Sequence, residues 1–211
     1  MNGRVAIMQP YFFPYLGYFQ LLASVDIVVL YDDVNFTKKG WIHRNRLNIN
    51  QQAQYFGLQL NKASQNKAIN EIDVIKDPKF IDKSLRMIEM NYSKAQYFND
   101  VFPLIQGAYL NSESLNLAKV NAYSITTVLD YLGLKKEIYF SSDLNISKDS
   151  YSRSERLMAI TKSLGSNEYV NVKSGENLYS KEEFAKNDID LKFLQFVKLS
   201  RFYLVFRLNL D

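Results

Sequence analysis

Apolar residues fall in short runs along this chain, divided by polar turns, and the runs follow two different periods. Val5-Ala-Ile-Met8 is an apolar run of strand length, and Ile27-Val-Val-Leu-Tyr31 is a second. Between them Leu16, Phe19, Leu22 and Ala23 recur at helical spacing, while Pro10 and Pro14 keep the intervening turn from joining either ladder or helix. Strand, turn, helix and strand at this length predict a right-handed parallel crossover.

The alternation of Gln54 to Leu60 predicts a third strand, followed by a polar loop from Asn61 to Asn70. Asp77-Pro78 then has the cap and first-turn residues of a helix that buries Ile81, Leu85, Ile88 and Tyr92. A further helix is expected from near Ser114 through Leu117, Val120, Val128 and Leu129 to a glycine stop at Gly133. Residues 77–134 therefore read as a helical block within a single α/β domain spanning 1–211. The last third returns to strand and helix: a strand over 137–141, a helix from about Ser152 to Leu164 ahead of Gly165, and a strand over 168–172. Ser180-Lys-Glu-Glu183 then has the form of a capping box, and Ile189 to Phe196 reads as a final strand. Leu191 to Leu210 alternates, which favours a packed sheet edge over an amphipathic membrane helix. This order predicts a parallel Rossmann-like sheet with a central helical block. In such sheets ligands lie beyond the carboxyl ends of the strands, which places Gln9, Asp32, Ser141 and Asn171 along one edge and predicts a shared cleft.

Composition narrows the function classes. With 47% hydrophobic residues in 211, the chain can bury one substantial core. The absence of cysteine removes disulfides, thiolate nucleophiles and cysteine zinc sites. The apolar run after Arg4 is too short for a signal-peptide core and no run approaches a membrane span, so a cytoplasmic protein is expected. A net charge of +4 is compatible with an anionic small molecule but is too mild to point to nucleic acid. Oligomeric state is not legible in the sequence.

Candidate chemistry concentrates between Gln9 and Arg46. Asp32 and Asp33 end a predicted buried strand, and alternation sends Asp32 toward the cleft and Asp33 away. The cleft-facing carboxylate would bind Mg²⁺ on a nucleotide diphosphate, orient a sugar hydroxyl, or act as a base. His43 is the single histidine and lies among Lys38, Lys39, Arg44 and Arg46, whose charges would hold it neutral as a general base requires. Arg44 and Arg46, on one side of an extended segment, are the better phosphate-gripping pair, with Lys38 and Trp41 beside them. Tyr11, Tyr15 and Tyr18 present phenols to a sugar or phosphate, or pack the turn. Gly17 would allow close approach, and Asn171, Ser174 and Gly175 would offer a backbone nest for an anion.

The segment Gln9-Pro-Tyr-Phe-Phe-Pro-Tyr-Leu-Gly-Tyr-Phe-Gln-Leu21, with Tyr31-Asp-Asp-Val34, Phe36, Lys38, Gly40-Trp41 and Arg44-Asn-Arg46, resembles the WbqC-like family. The likeness continues through Glu155-Arg-Leu157, Leu164-Gly165 and Leu178-Tyr179 and covers most of the chain. Ser174-Gly175 stands where a Gly-Gly pair is expected, and Val197 to Asp211 departs from the family's tail. The resemblance implies a bacterial surface-polysaccharide (O-antigen, lipopolysaccharide) cluster protein whose reaction is poorly defined. The expected activity is a transferase acting on a nucleotide-linked sugar by acyl, aminoacyl or nucleotidyl transfer. The alternative is a noncatalytic nucleotide- or sugar-binding scaffold subunit. A remoter likeness is to nucleotidylyltransferases of the HxGH type, because Pro14-Tyr-Leu-Gly-Tyr18 has that loop's layout. Here tyrosines replace both histidines, and a phenol cannot supply their cationic charge at neutral pH.

Overall fold

The computed structural model describes residues 3–195. These fall into two compact units, a first built from 3–9, 17–34 and 134–195, and a second from 10–16 and 35–133.

The first unit is a five-stranded parallel sheet in the order β7-β2-β1-β8-β9, made of β1 (Val5–Met8), β2 (Ile27–Leu30), β7 (Glu137–Phe140), β8 (Glu168–Val172) and β9 (Asp190–Leu194). Its strands are the apolar runs. β2 is buried throughout, as a strand covered on both faces should be. Val5, Ile7, Ile27 and Val29 share a core with Leu157 and Ile160 of α5 (Arg153–Ser163) and Phe184 of α6 (Lys181–Ala185). Ser152 caps α5 in a full capping box with Glu155, and Gly165 follows at φ +70°, where a Cβ would be strained. In α6 the Ser180 hydroxyl accepts from the Glu183 N–H, the first half of the expected box, and donates its own proton to the neighbouring Glu182 carboxylate. Strand order turns back at β1, which is paired with β8 at Val5 opposite Tyr169, and this is the topological switch point of the sheet.

In the second unit the predicted third strand is part of an antiparallel hairpin outside the parallel sheet. β3 (Arg44–Ile49) pairs with β4 (Gln52–Gly57) through a two-residue turn in which Asn50 and Gln51 both have positive φ, 51° and 63°. That is the turn whose twist suits a hairpin. β5 (Gln59–Asn61) pairs with β6 (Asp73–Ile75) in a second small ladder. Gly57 lies so close to the backbone of His43 and Arg44 that an added Cβ would overlap it. The helical block holds α2 (Pro78–Tyr92), α3 (Phe98–Leu110) and α4 (Leu117–Tyr131). Asp77 caps α2, and α4 is capped by Asn116, two residues past the expected Ser114 start, and closed by Gly133 at φ +67°. Among the described residues no helix is long and apolar enough to cross a membrane.

Candidate functional site

The predicted site residues fall into two sets, one in each unit. In the first unit, Gln9, Asp32, Asp33, Asn171, Ser174 and Gly175 all follow or end parallel strands and so share the carboxyl edge of the sheet. The two aspartates reverse the expectation from alternation: Asp32 is 3% exposed, whereas the Asp33 side chain is 22% exposed. The chain leaves the ladder after Leu30, so the strict two-residue period no longer governs these side chains. Asp32 Oδ1 accepts from the Ser142 N–H at 3.0 Å and Oδ2 from the Ser142 hydroxyl at 2.8 Å. Ser141 Oγ takes the Asp32 N–H at 3.2 Å and lies 3.0 Å from Asp32 Oδ1 and 2.6 Å from Asp33 Oδ1, so a single hydroxyl proton serves two carboxylates. Both oxygens of Asp32 thus sit in a shell of N–H and O–H donors, which suits a carboxylate that ties β2 to the turn after β7 and does not fit a Mg²⁺ ligand.

Asp33 is held by a residue that sequence reasoning passed over. Arg156 is 2% exposed and ion-pairs with Asp33 through Nη2. Its Nε and Nη2 also donate to the Ile146 carbonyl at 3.1 and 2.9 Å, and the guanidinium lies 5.0 Å from the centre of the Tyr31 ring. Burial works against this charge, but the Asp33 hydrogen bond and carboxylate charge, with the neighbouring Tyr31 hydroxyl, outweigh it and raise the pKa. The available signal was a cation on the inward stripe of α5, in step with Leu157, Ile160 and Thr161.

Other members of this set have internal partners. Tyr18 is fully buried in α1 (Leu16–Ala23) and its hydroxyl donates to the Gln9 carbonyl at 3.0 Å, so it packs the turn and presents no phenol to solvent. Gly17 is buried in the first turn of the same helix. At Gly175 an added Cβ would come 2.9 Å from Asn171 Nδ2, so the missing side chain makes room for a buried carboxamide. Ser174 is exposed.

The second unit gathers Tyr11, Tyr15 and Trp41 with Pro14 and Asn45 around a pocket of about 130 Å³. The turn that supplies Tyr11 and Tyr15 is strained, because Phe13 has φ 45°, a conformation bulky residues avoid. Three buried polar side chains hold it there. Asn45 Nδ2 donates to the Phe13 carbonyl at 2.6 Å, Ser124 Oγ accepts the Phe13 N–H at 3.2 Å, and Asn121 Nδ2 donates to the Pro10 and Ile42 carbonyls at 2.9 and 2.8 Å. The rings of Phe12, Phe13, Phe56 and Tyr109 meet one another edge-to-face or tilted, Phe12 lying edge-on to Phe13 and Tyr109.

Arg44 and Arg46 are alternate residues of β3 and share a face, as an extended segment requires. Arg46 lies 4.9 Å from the centre of the Trp41 ring and Arg44 4.6 Å from that of Tyr55, while the Trp41 and Tyr55 rings are 6.2 Å apart. Cations and rings therefore form a continuous ladder beside the pocket. Arg44 also donates to the Lys39 and Gly40 carbonyls, which shapes the loop carrying Trp41. Lys38 is exposed on that loop. Burial raises the pKa of Tyr11, and burial with the neighbouring Tyr11 raises that of Tyr15, so both phenols stay neutral.

His43 is lowered from 6.5 to about 4, first by burial and only then by the charge of Arg44, so the cations rank second as the cause of the expected neutrality. An unfolded chain takes up this proton near pH 6.5, whereas the folded one does so near 4, so stability falls as pH drops through that window. His43→Gln should remove part of the fall, on the order of 1 kcal/mol after allowing for solvent screening at a partly exposed ring. Denaturant unfolding of parent and variant at pH 7 and pH 4.5 measures it, and equal losses in both would contradict it.

The model of the WbqC-like protein family matches residues 9–206 of this chain, which takes in most of the tail expected to depart from the family. The structure of that tail lies outside the described residues. Among curated proteins, the uncharacterized protein Rv1507c of Mycobacterium tuberculosis is 27% identical over 194 residues, covering 92% of this chain and 82% of its own. No solved structure matches the chain. With the family model matching residues 9–206, a span that includes the Gln9 turn, the aromatic pocket and the sheet edge, this chain belongs to the WbqC-like protein family.

Proposed function

We propose that this protein is a transferase of bacterial surface-polysaccharide biosynthesis that binds a nucleotide-linked sugar in the aromatic pocket of its second unit. The observation that carries the reading is the pairing of an uncharged ring-lined pocket (Tyr11, Tyr15, Trp41) with two arginines stacked alongside it. Rings stack on aromatic walls, and guanidinium groups bind phosphate oxygens through parallel N–H donors, so a molecule with a planar ring on a diphosphate meets both halves. Lys38 and the Arg44–Arg46 face supply positive charge around the diphosphate. A phosphate contribution of this kind is screened by salt, so affinity should fall as ionic strength rises.

A binding-only role on the same fold is the second reading. It is favoured by the lining itself, in which the titratable groups among the described residues are the two phenols, both raised from 10. Turnover separates the two.

Trp41 is the single tryptophan of the chain, so intrinsic fluorescence reports directly on the pocket. Titration with UDP-, dTDP- and GDP-linked sugars should change it saturably. Trp41→Ala should weaken the best ligand about tenfold, within the ~1–3 kcal/mol that stacking of one base is worth, as read by calorimetry. The fold should tolerate the change because Trp41 is 37% exposed. Unchanged affinity would remove the pocket from the reading.

A further inference from the structure

We propose that the pocket takes the base of a pyrimidine nucleotide and that Asn45 reads the edge of that base. The inference rests on the nucleotide-linked reading above and adds which part of the ligand enters and what selects it.

Size sets the first limit. A pocket of about 130 Å³ is well below the roughly 300–1,000 Å³ that encloses a whole drug-sized ligand, so one group of a larger molecule enters. A dry cavity of about 150 Å³ accepts benzene, which makes this pocket the size of a single six-membered ring, so a fused purine would project beyond its walls.

The walls set the second limit. Tyr11, Pro14, Tyr15 and Trp41 are uncharged, and a phosphate moved among them would lose its hydration without a matching cation, so the charged part of the ligand stays outside. The indole of Trp41 already carries the Arg46 guanidinium at 4.9 Å. A cation drawn to the ring's electron density disfavours a second cation and weakens the C–H contacts by which a sugar ring stacks, whereas a neutral, electron-poor heterocycle is still accepted. This excludes a quaternary ammonium group and ranks a nucleobase above the sugar as the occupant.

Asn45 supplies direction. Its side chain is buried, Nδ2 donates to the Phe13 carbonyl at 2.6 Å, and Oδ1 accepts the Arg46 N–H at 2.8 Å. A carboxamide has two N–H donors and an oxygen with two lone pairs, so beyond these two bonds it has capacity for one more donated and one more accepted bond on a residue that lines the pocket. An adjacent donor and acceptor are what the edge of a pyrimidine offers in return, and the two bonds already made fix which way the carboxamide faces. The residue that holds the strained turn therefore also sets the hydrogen-bond pattern inside the pocket.

The test is a base series on the intact protein, read by Trp41 fluorescence and calorimetry with UDP, CDP, ADP, GDP and glucose 1-phosphate. One of UDP and CDP should bind at least tenfold more tightly than ADP and GDP, and glucose 1-phosphate should bind more weakly than either pyrimidine nucleotide. Asn45→Asp, nearly the same shape but lacking the N–H donors, should change the UDP-to-CDP affinity ratio at least fivefold, with Asn45→Ser as the second variant should the first fail to fold. Trp41→Phe should weaken both nucleotides and leave their order unchanged. Purine nucleotides binding as well as pyrimidine ones, or an unaltered UDP-to-CDP ratio in a folded Asn45 variant, would overturn the assignment while leaving nucleotide binding intact. Glucose 1-phosphate matching UDP would overturn it by placing the sugar in the pocket. Absence of binding by every nucleotide and every nucleotide-linked sugar would overturn the functional reading together with this inference.

Discussion

Replacing Arg156 with alanine is expected to lower the stability of the folded chain by about 3–5 kcal/mol, the cost of breaking a buried ion pair by removing one partner. The guanidinium is 2% exposed and satisfies Asp33 and the Ile146 carbonyl together, while its flat face covers the Tyr31 ring. Alanine would leave the Ile146 carbonyl without these donors, leave Asp33 to its hydrogen bond from Ser141, and open a cavity where the side chain lay. Arg156→Met should cost less, because an unbranched apolar side chain fills the same space. Combining it with Asp33→Asn should recover part of the loss, since the carboxylate no longer needs a cation. Urea unfolding of the three variants gives the ranking directly. A loss below about 1 kcal/mol for Arg156→Ala would mean that the pair is as weak as an exposed surface salt bridge.

The parts of the fold that were legible are those where one local force dominates. Val5–Met8 and Ile27–Leu30 are uniformly apolar because both faces of the central strands are covered, and such runs have one good solution in a parallel sheet. Asp77, Ser152, Gly133 and Gly165 announced helix ends because the caps act within a single turn. The hairpin was half hidden, since β3 is Arg44-Asn-Arg-Leu-Asn-Ile49, a mostly polar strand whose pairing with β4 is decided across the turn and leaves little mark on local composition. α3 escaped because Pro103 lies inside it, where a proline removes the hydrogen bond to the carbonyl four residues earlier and so reads locally as a helix break. At the site, residue types carried the information and orientation did not. The Tyr11, Tyr15, Trp41, Arg44 and Arg46 group was visible as a dense aromatic and cationic segment, and it does surround one pocket and its flank. Which aspartate is exposed depends on how the backbone leaves β2, and the partner of Asp33 is 123 positions away. The roles of Asn45, Asn121 and Ser124 rest on long-range contacts to a strained turn that no local pattern records.

Asn121 gives the second large effect, and one that joins stability to binding. It is fully buried in α4, and its two Nδ2 hydrogens go to the carbonyls of Pro10 and Ile42. Ile42 keeps another donor in the Phe12 N–H at 2.9 Å, so in Asn121→Ala the Pro10 carbonyl is the group that loses most. One buried acceptor left bare costs about 1–3 kcal/mol, and the space vacated in the helix core adds to it, for an expected loss of about 2–4 kcal/mol. Asn121→Asp should be worse despite its closer shape, because it sets a carboxylate oxygen against two carbonyl oxygens where the amide donated. Since Phe13 at φ 45° persists only while its surroundings hold it, loosening Pro10 lets the turn relax and moves Tyr11 and Tyr15 out of their places in the pocket. Nucleotide affinity in Asn121→Ala should therefore drop at a temperature where unfolding is negligible, whereas a cavity of similar cost made in the first unit, as in Ile160→Ala, should leave affinity unchanged. Equal affinity in the parent and both variants would detach the turn from the pocket. An aspartate variant more stable than the alanine one would mean that the Pro10 and Ile42 carbonyls do not depend on the Nδ2 donors.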